Sequence, residues 1–252
     1  MAGRLKSPDP FVLRHTTFPL LALSRVEGAG KRVMCDPVEQ GSAFFLSRDG
    51  LFLTAKHVVS AYDTSSYSVL AVNMRDRVRK FCRVTELARH PELDVAVGRA
   101  EWPNEDDGWP FPVTLATGRI GIGASVLVYG YPNTGITVLD PDGDKSLGLD
   151  FRPQMHAAKI DDYMPDGAPL IKAPCYVVSG DPGGGISGSP LIRKRTGHVH
   201  AVVCRGNTTE GAGIASYAVA LDVRAFVDGW SISFLGGISL REHFARGAFA
   251  VR

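Results

Sequence analysis

From residue 33 onward the chain is built of short apolar or alternating runs, each cut off by turn residues. Runs at 43–46, 51–54, 69–72, 84–87, 95–97 and 113–115 have the length and the apolar or alternating pattern of strands. A second set follows at 125–129, 176–178, 190–192, 199–204 and 216–220. Arg48-Asp49-Gly50 lies between the first two runs and predicts a hairpin with an Asp-Gly turn. So many short strands, with 28 glycines and 16 prolines among 252 residues, favour barrels or sandwiches over packed helices. That length holds one large all-β domain or two small barrels, with a substantial core. The strand sets divide around 116–123. Residues 1–32 read as an irregular arm, and 239–246 as one short helix that Gly247 is placed to end.

Charge and composition exclude several classes. Twenty-eight basic and 26 acidic side chains leave a net charge of +2, too balanced to make nucleic acid the main partner. The basic residues at 75–83 and 193–195 read as solvated faces. No apolar run approaches the ~20 residues that span a bilayer, and the stretch at 18–23 is shorter than the ~7–15-residue core of a secretory signal. Cys35, Cys82, Cys175 and Cys204 form no C-x-x-C pair, so metal spacing is absent. Gly28-Ala29-Gly30-Lys31-Arg32 is no phosphate loop, because the first glycine is missing and Arg32 stands where Ser or Thr is needed. Asp140-Pro141-Asp142-Gly143-Asp144 lacks the glycine and glutamate of a calcium loop and reads as a hairpin turn. His198 and His200 alternate on one strand face with no third ligand nearby, and read as structural or solvent-facing. Neither a cofactor nor a metal is expected.

Three motifs carry chemistry. Gly183-Gly184-Gly185-Ile186-Ser187-Gly188-Ser189-Pro190 sets one serine in glycine-rich backbone just before a strand. His57 ends the apolar segment Leu53-Thr54-Ala55-Lys56-His57-Val58-Val59, and Asp94 opens Leu93-Asp94-Val95-Ala96-Val97. A serine hydroxyl is a poor nucleophile until a base lies within hydrogen-bond reach. An imidazole supplies that base, and a carboxylate on its other nitrogen fixes the tautomer. Asp49 is better explained as a turn residue, and Asp63 and Asp76 lack the apolar context of Asp94. The serine motif also fails G-x-S-x-G, against an α/β-hydrolase.

In this order, His57, Asp94 and Ser187 resemble the chymotrypsin-like (trypsin-like) serine proteases, closest in pattern to bacterial HtrA-type and trypsin-like peptidases without a PDZ domain. The resemblance runs from about residue 41 to 227, and 228–252 is too short for a PDZ domain. It implies an all-β fold of two antiparallel barrels with the active site in the cleft between them and a short C-terminal helix. The domains are then an arm at 1–32, a first barrel at 33–118 bearing His57 and Asp94, a second barrel at 119–228 bearing Ser187, and an extension at 229–252. It implies a serine endopeptidase acting through an acyl-enzyme, with the N–H groups of Gly185 and Ser187 as oxyanion hole. The alternative is a latent or inactive protease-fold binding module that needs a partner.

Departures from the family pattern narrow the expectation. Ile186 stands where many trypsin relatives carry the aspartate that pairs with a freed N-terminus, so regulation would fall to loop ordering or a partner protein. The segment 140–173, rich in Pro, Asp and Gly, is a place for such contacts or for substrate gating. Lys56 and Val58 flank His57 where secreted relatives carry a disulfide cysteine, which suggests free thiols and a cytoplasmic protein. Asp181, six residues before Ser187, is either the acid that receives a basic P1 side chain or a turn residue in Gly180-Asp181-Pro182-Gly183. Cys204, Arg205 and Gly206 resemble the strand that pairs with substrate backbone. The partner expected is a protein or peptide substrate, with neither nucleic acid nor membrane involved.

Overall fold

The computed structural model describes residues 13, 15–26, 34–60, 67–73, 80–101, 111–132, 135–139, 146–169, 171–180, 185–207 and 217–248. Strands β1 (Thr17–Val26), β2 (Met34–Phe45), β3 (Leu51–Thr54), β4 (Tyr67–Asn73), β5 (Lys80–Arg89) and β6 (Ala96–Ala100) close a first antiparallel barrel in the order β1-β2-β3-β6-β5-β4. Next comes β7 (Ser125–Gly130), then a separate two-stranded ribbon of β8 (Gly135–Leu139) and β9 (Ser146–Asp150). Strands β10 (Gln154–Met164), β11 (Cys175–Ser179), β12 (Pro190–Arg193), β13 (Val199–Asn207) and β14 (Tyr217–Asp222) complete the second barrel, ordered β10-β11-β14-β13-β12-β7.

Alternation along the strands explains why both barrels form and why they pack together. On β7, Val126 and Val128 point into the second barrel, while Leu127 and Tyr129 join a cluster shared with the first. On β3, Phe52 fills the first barrel with Phe18 and Phe45, while Leu51 and Leu53 face the shared cluster. Strands at this junction are therefore buried on both faces and read as continuous apolar runs. A Leu or Phe so buried contributes about 1.5–3 kcal/mol relative to exposure.

The structure corrects the expected strand content at three places. Residues 1–32 are not all an arm, since β1 pairs with both β2 and β4 and closes the first barrel. Its apolar stretch at 18–23 suits a buried strand, with Phe18, Leu20 and Leu21 buried. The run at 113–115 makes only one parallel bridge, Leu115 to Val199. The segment 140–173 contains β9 and the barrel strand β10, whose polar outer face hides the strand pattern. Asp140 to Asp144, the expected hairpin turn, lies outside the described residues.

After β14 the chain returns across the shared core, burying Phe226, Val227, Trp230, Ile232, Leu240 and Phe244. Helix α1 (Leu240–His243) begins at Ser239, whose hydroxyl accepts the Glu242 N–H while the Glu242 carboxylate accepts the Ser239 N–H. Gly247 does not end it: wider π turns continue over Phe244–Ala248. Among the described residues, no helix is long and apolar enough to cross a membrane.

Candidate active site

His57 sits on one turn of 3-10 helix, Lys56–Val59, directly after β3. Val58 and Val59 are buried against the first barrel, while the neighbouring imidazole turns outward, 48% exposed. Asp94 ends a bend at 91–94 just before β6. The two are joined twice: the His57 backbone N–H donates to Asp94 Oδ1 at 2.9 Å, and His57 Nδ1 lies 2.8 Å from Asp94 Oδ2. A carboxylate accepts only, so a ring proton resides on Nδ1, and in the neutral imidazole Nε2 is then the nitrogen that can act as base. Burial pushes the Asp94 carboxyl up. The bonds and charge from His57, with a smaller contribution from the Cys204 thiol, outweigh that and hold it below the ordinary carboxylate range.

Residues outside the motif shape the bend that carries Asp94. His90 Nδ1 accepts the N–H groups of Glu92 and Leu93 at 3.2 and 3.0 Å, and the Lys56 ammonium donates to the Pro91 carbonyl at 3.0 Å. Burial lowers the His90 pKa, against the pull of Glu92 and assisted by Lys56, in keeping with a neutral ring that accepts. The same ring packs against Trp230, with centroids 5.1 Å apart. Sequence reasoning does not find His90, because it stands four residues before Asp94 with no motif of its own.

Ser187 occupies a turn between β11 and β12 and belongs to the second barrel. Gly185 and Gly188 flank it with φ of 87° and 85°, a region that favours glycine. Gly188 is required for space as well, since a Cβ there would collide with the Ser42 carbonyl and the Thr54 hydroxyl. Among the described residues, no group accepts from the backbone N–H of Gly185 or Ser187, so both donors are open. The Ser187 hydroxyl donates to the Cys204 carbonyl at 3.3 Å, and among the described residues it makes no bond to His57. Cys204 in turn points its thiol at the Asp94 carbonyl, 3.4 Å away. Burial, then the Asp94 charge, raise that thiol well above its ordinary pKa, so it stays protonated as a donor. A chain of contacts thus runs from Ser187 through Cys204 to Asp94 and His57, across the junction of the barrels.

The remaining candidates divide. Cys204 is buried at a bulge in β13, between pairs Val203 to Ala220 and Arg205 to Val219. Arg205 is exposed and Gly206 continues the strand. Asp181, Gly183 and Gly184 lie outside the described residues. Asp49 is a turn residue whose carboxylate takes the Ser47 hydroxyl and pairs with Arg99. His200 is buried and donates from Nδ1 to the Gly118 carbonyl at 2.7 Å.

Comparison with known proteins bears on the fold and the family. In structure the chain is similar to the active form of the Rv3671c protease from M. tuberculosis, at 21% identity and a TM-score of 0.58, over 98% of this chain and 90% of that one. It is also similar to the HtrA-type protease AlgW with tripeptide (19% identity, TM-score 0.57, 85% of this chain and 58% of that one). The apo MamO protease domain from Magnetospirillum magneticum gives 10% identity and a TM-score of 0.58, over 84% of this chain and 94% of that one. No curated protein matches by sequence. The trypsin-like peptidase domain matches residues 41–202, more than half of the chain and inclusive of His57, Asp94 and Ser187. The chain therefore belongs to the trypsin-like peptidase domain family, with a chymotrypsin-like fold shared by HtrA-type proteases.

Proposed function

We propose that this protein is a serine endopeptidase that hydrolyses peptide bonds through an acyl-enzyme, with Ser187 as nucleophile, His57 as base and Asp94 as its orienting carboxylate. The observation that carries this reading is the pair of hydrogen bonds from His57 to Asp94, which orients the imidazole with Nε2 available to take a proton. The Ser187 hydroxyl would leave the Cys204 carbonyl, pass its proton to Nε2 and attack the substrate carbonyl. The negative oxygen that forms would receive the open N–H groups of Gly185 and Ser187. His57 would return the proton to the leaving amine, and water would repeat the sequence on the acyl-enzyme. The substrate is a protein or peptide paired in extended form along Cys204, Arg205 and Gly206, with Asp181 receiving a basic P1 side chain if it lines the pocket.

One observation favours a second reading, in which the fold is latent until a partner binds: the hydroxyl is bonded to Cys204 rather than to the imidazole. Cys175 and Cys204 are buried free thiols, which supports assignment to a reducing, cytoplasmic compartment. The test is digestion of an unbiased peptide library by wild type and Ser187→Ala, with cleavage sites read by mass spectrometry. Cuts made only by wild type are expected, and cuts after Arg or Lys would assign Asp181 to specificity. Identical patterns from both proteins would refute the nucleophile, and no cuts from either would favour the latent reading.

A further inference from the structure

The glycine loop that holds Ser187 is fastened from the other barrel by one buried residue. Ser42 lies on β2 with no exposed surface and uses every polar group it has. Its backbone N–H donates to the Ser187 carbonyl at 2.8 Å. Its hydroxyl donates to the Gly185 carbonyl at 3.1 Å and accepts the Tyr131 N–H at 3.0 Å. Its own carbonyl accepts the Thr54 hydroxyl at 2.8 Å, three residues before His57. The two carbonyls it holds belong to the two residues whose N–H groups find no acceptor among the described residues. Anchoring a residue's carbonyl while its φ is set by the turn restricts the direction of its N–H, and at Gly185 that φ is 87°.

We propose that Ser42 is a positioning residue for the oxyanion site: its hydroxyl and N–H set the aim of the Gly185 and Ser187 donors and register them to the strand that delivers His57. The inference rests on the serine-protease reading and adds a residue to it. No motif marks Ser42, which reads in sequence as one polar residue opening the run Gly41-Ser42-Ala43-Phe44-Phe45. Donors aimed in advance stabilise developing charge without reorganising at the moment of reaction. Loss of the Ser42 hydroxyl therefore weakens the chemical step and spares substrate recognition, which lies on β13.

The experiment measures inactivation by a fluorophosphonate, separating the maximal rate from the probe's apparent affinity, in wild type, Ser187→Ala, Ser42→Ala and Thr54→Val. Rates are expressed per folded molecule from calorimetry on the same samples. Thr54→Val removes a buried hydrogen bond to the same residue without touching the Gly185 carbonyl, so it reports simple loosening. The expected result is labelling at Ser187 in wild type, none in Ser187→Ala, a maximal rate about 10²-fold lower in Ser42→Ala with affinity retained, and a Thr54→Val rate near wild type. Should Ser42→Ala not fold, Ser42→Cys, a weak donor in the same place, takes its part in the comparison. A Ser42 variant with the wild-type maximal rate overturns the positioning role while the protease reading stands. Equal losses in Ser42→Ala and Thr54→Val also overturn it. A wild type that is not labelled at Ser187 overturns both.

Discussion

The two barrels deliver their halves of the candidate site by different physical means. The first presents side chains: His57 and Asp94 stand on short surface turns and hold each other through paired hydrogen bonds. The second presents backbone: the Ser187 turn is shaped by positive-φ glycines and tied through its carbonyls. Side-chain pairs can be removed with the fold left standing. Backbone geometry cannot be altered without disturbing the chain that carries it. On the serine-protease reading, the contrast predicts where chemistry and stability separate.

The largest effect should come from a side chain on the backbone-built half. Ser187→Ala is expected to lower peptide hydrolysis on the order of 10⁶-fold, with an unfolding midpoint close to wild type. Asp94→Asn should lower kcat about 10⁴-fold, because the amide favours the wrong imidazole tautomer, again in a folded protein. Circular dichroism alongside kinetics checks both, and a variant that unfolds would break the claim that chemistry is separable here.

Gly188→Ala is expected to behave oppositely. An alanine at φ near 85° costs about 1–2 kcal/mol on backbone grounds alone, before its Cβ meets Ser42. Urea denaturation should show a larger loss than that, with activity lost in parallel. A stable, inactive Gly188→Ala would show that the loop can move away from the first barrel, and the contrast would weaken.

Acid should expose the first barrel's side-chain pairing. The Asp94 pKa lies below its unfolded value, so its carboxylate contributes stability above pH ~4 that is lost as pH falls through the folded value. The stability difference between wild type and Asp94→Asn should accordingly shrink below pH ~4. A difference unchanged between pH ~7 and pH ~3 would contradict the assignment. The smallest effect belongs to Arg152→Ala, whose pair with Asp150 is exposed at both ends and should shift stability by less than ~1 kcal/mol.

Much of the fold and of the candidate site is legible in the amino-acid sequence. The hairpin at Arg48 to Gly50, the strand runs of the junction and the three candidate residues all stand out, because glycine turns, doubly buried strands and polar residues at the ends of apolar runs leave local marks. Other elements leave none. Strand β10 alternates exposed and half-buried positions with one fully buried residue, Ile160, in its central part, so its pattern is faint. Strand β1 reads as part of an arm because closure of the barrel is a long-range event, made by pairing with β4 some fifty positions on. His90 and Ser42 act through backbone atoms of distant or irregular segments, which carry no residue type to read.

The sequence alone determined the class of structure and the chemical identity of the candidate site, since alternation, turn residues and reactive side chains are properties of short segments. Only the tertiary structure decided that Ser187 bonds to Cys204, that Asp94 grips His57 twice, and that a serine on the opposite barrel holds the Ser187 turn. Those contacts join residues 17, 37 and 145 positions apart, and contacts at such distances exist only once two barrels have closed and packed their shared apolar faces together.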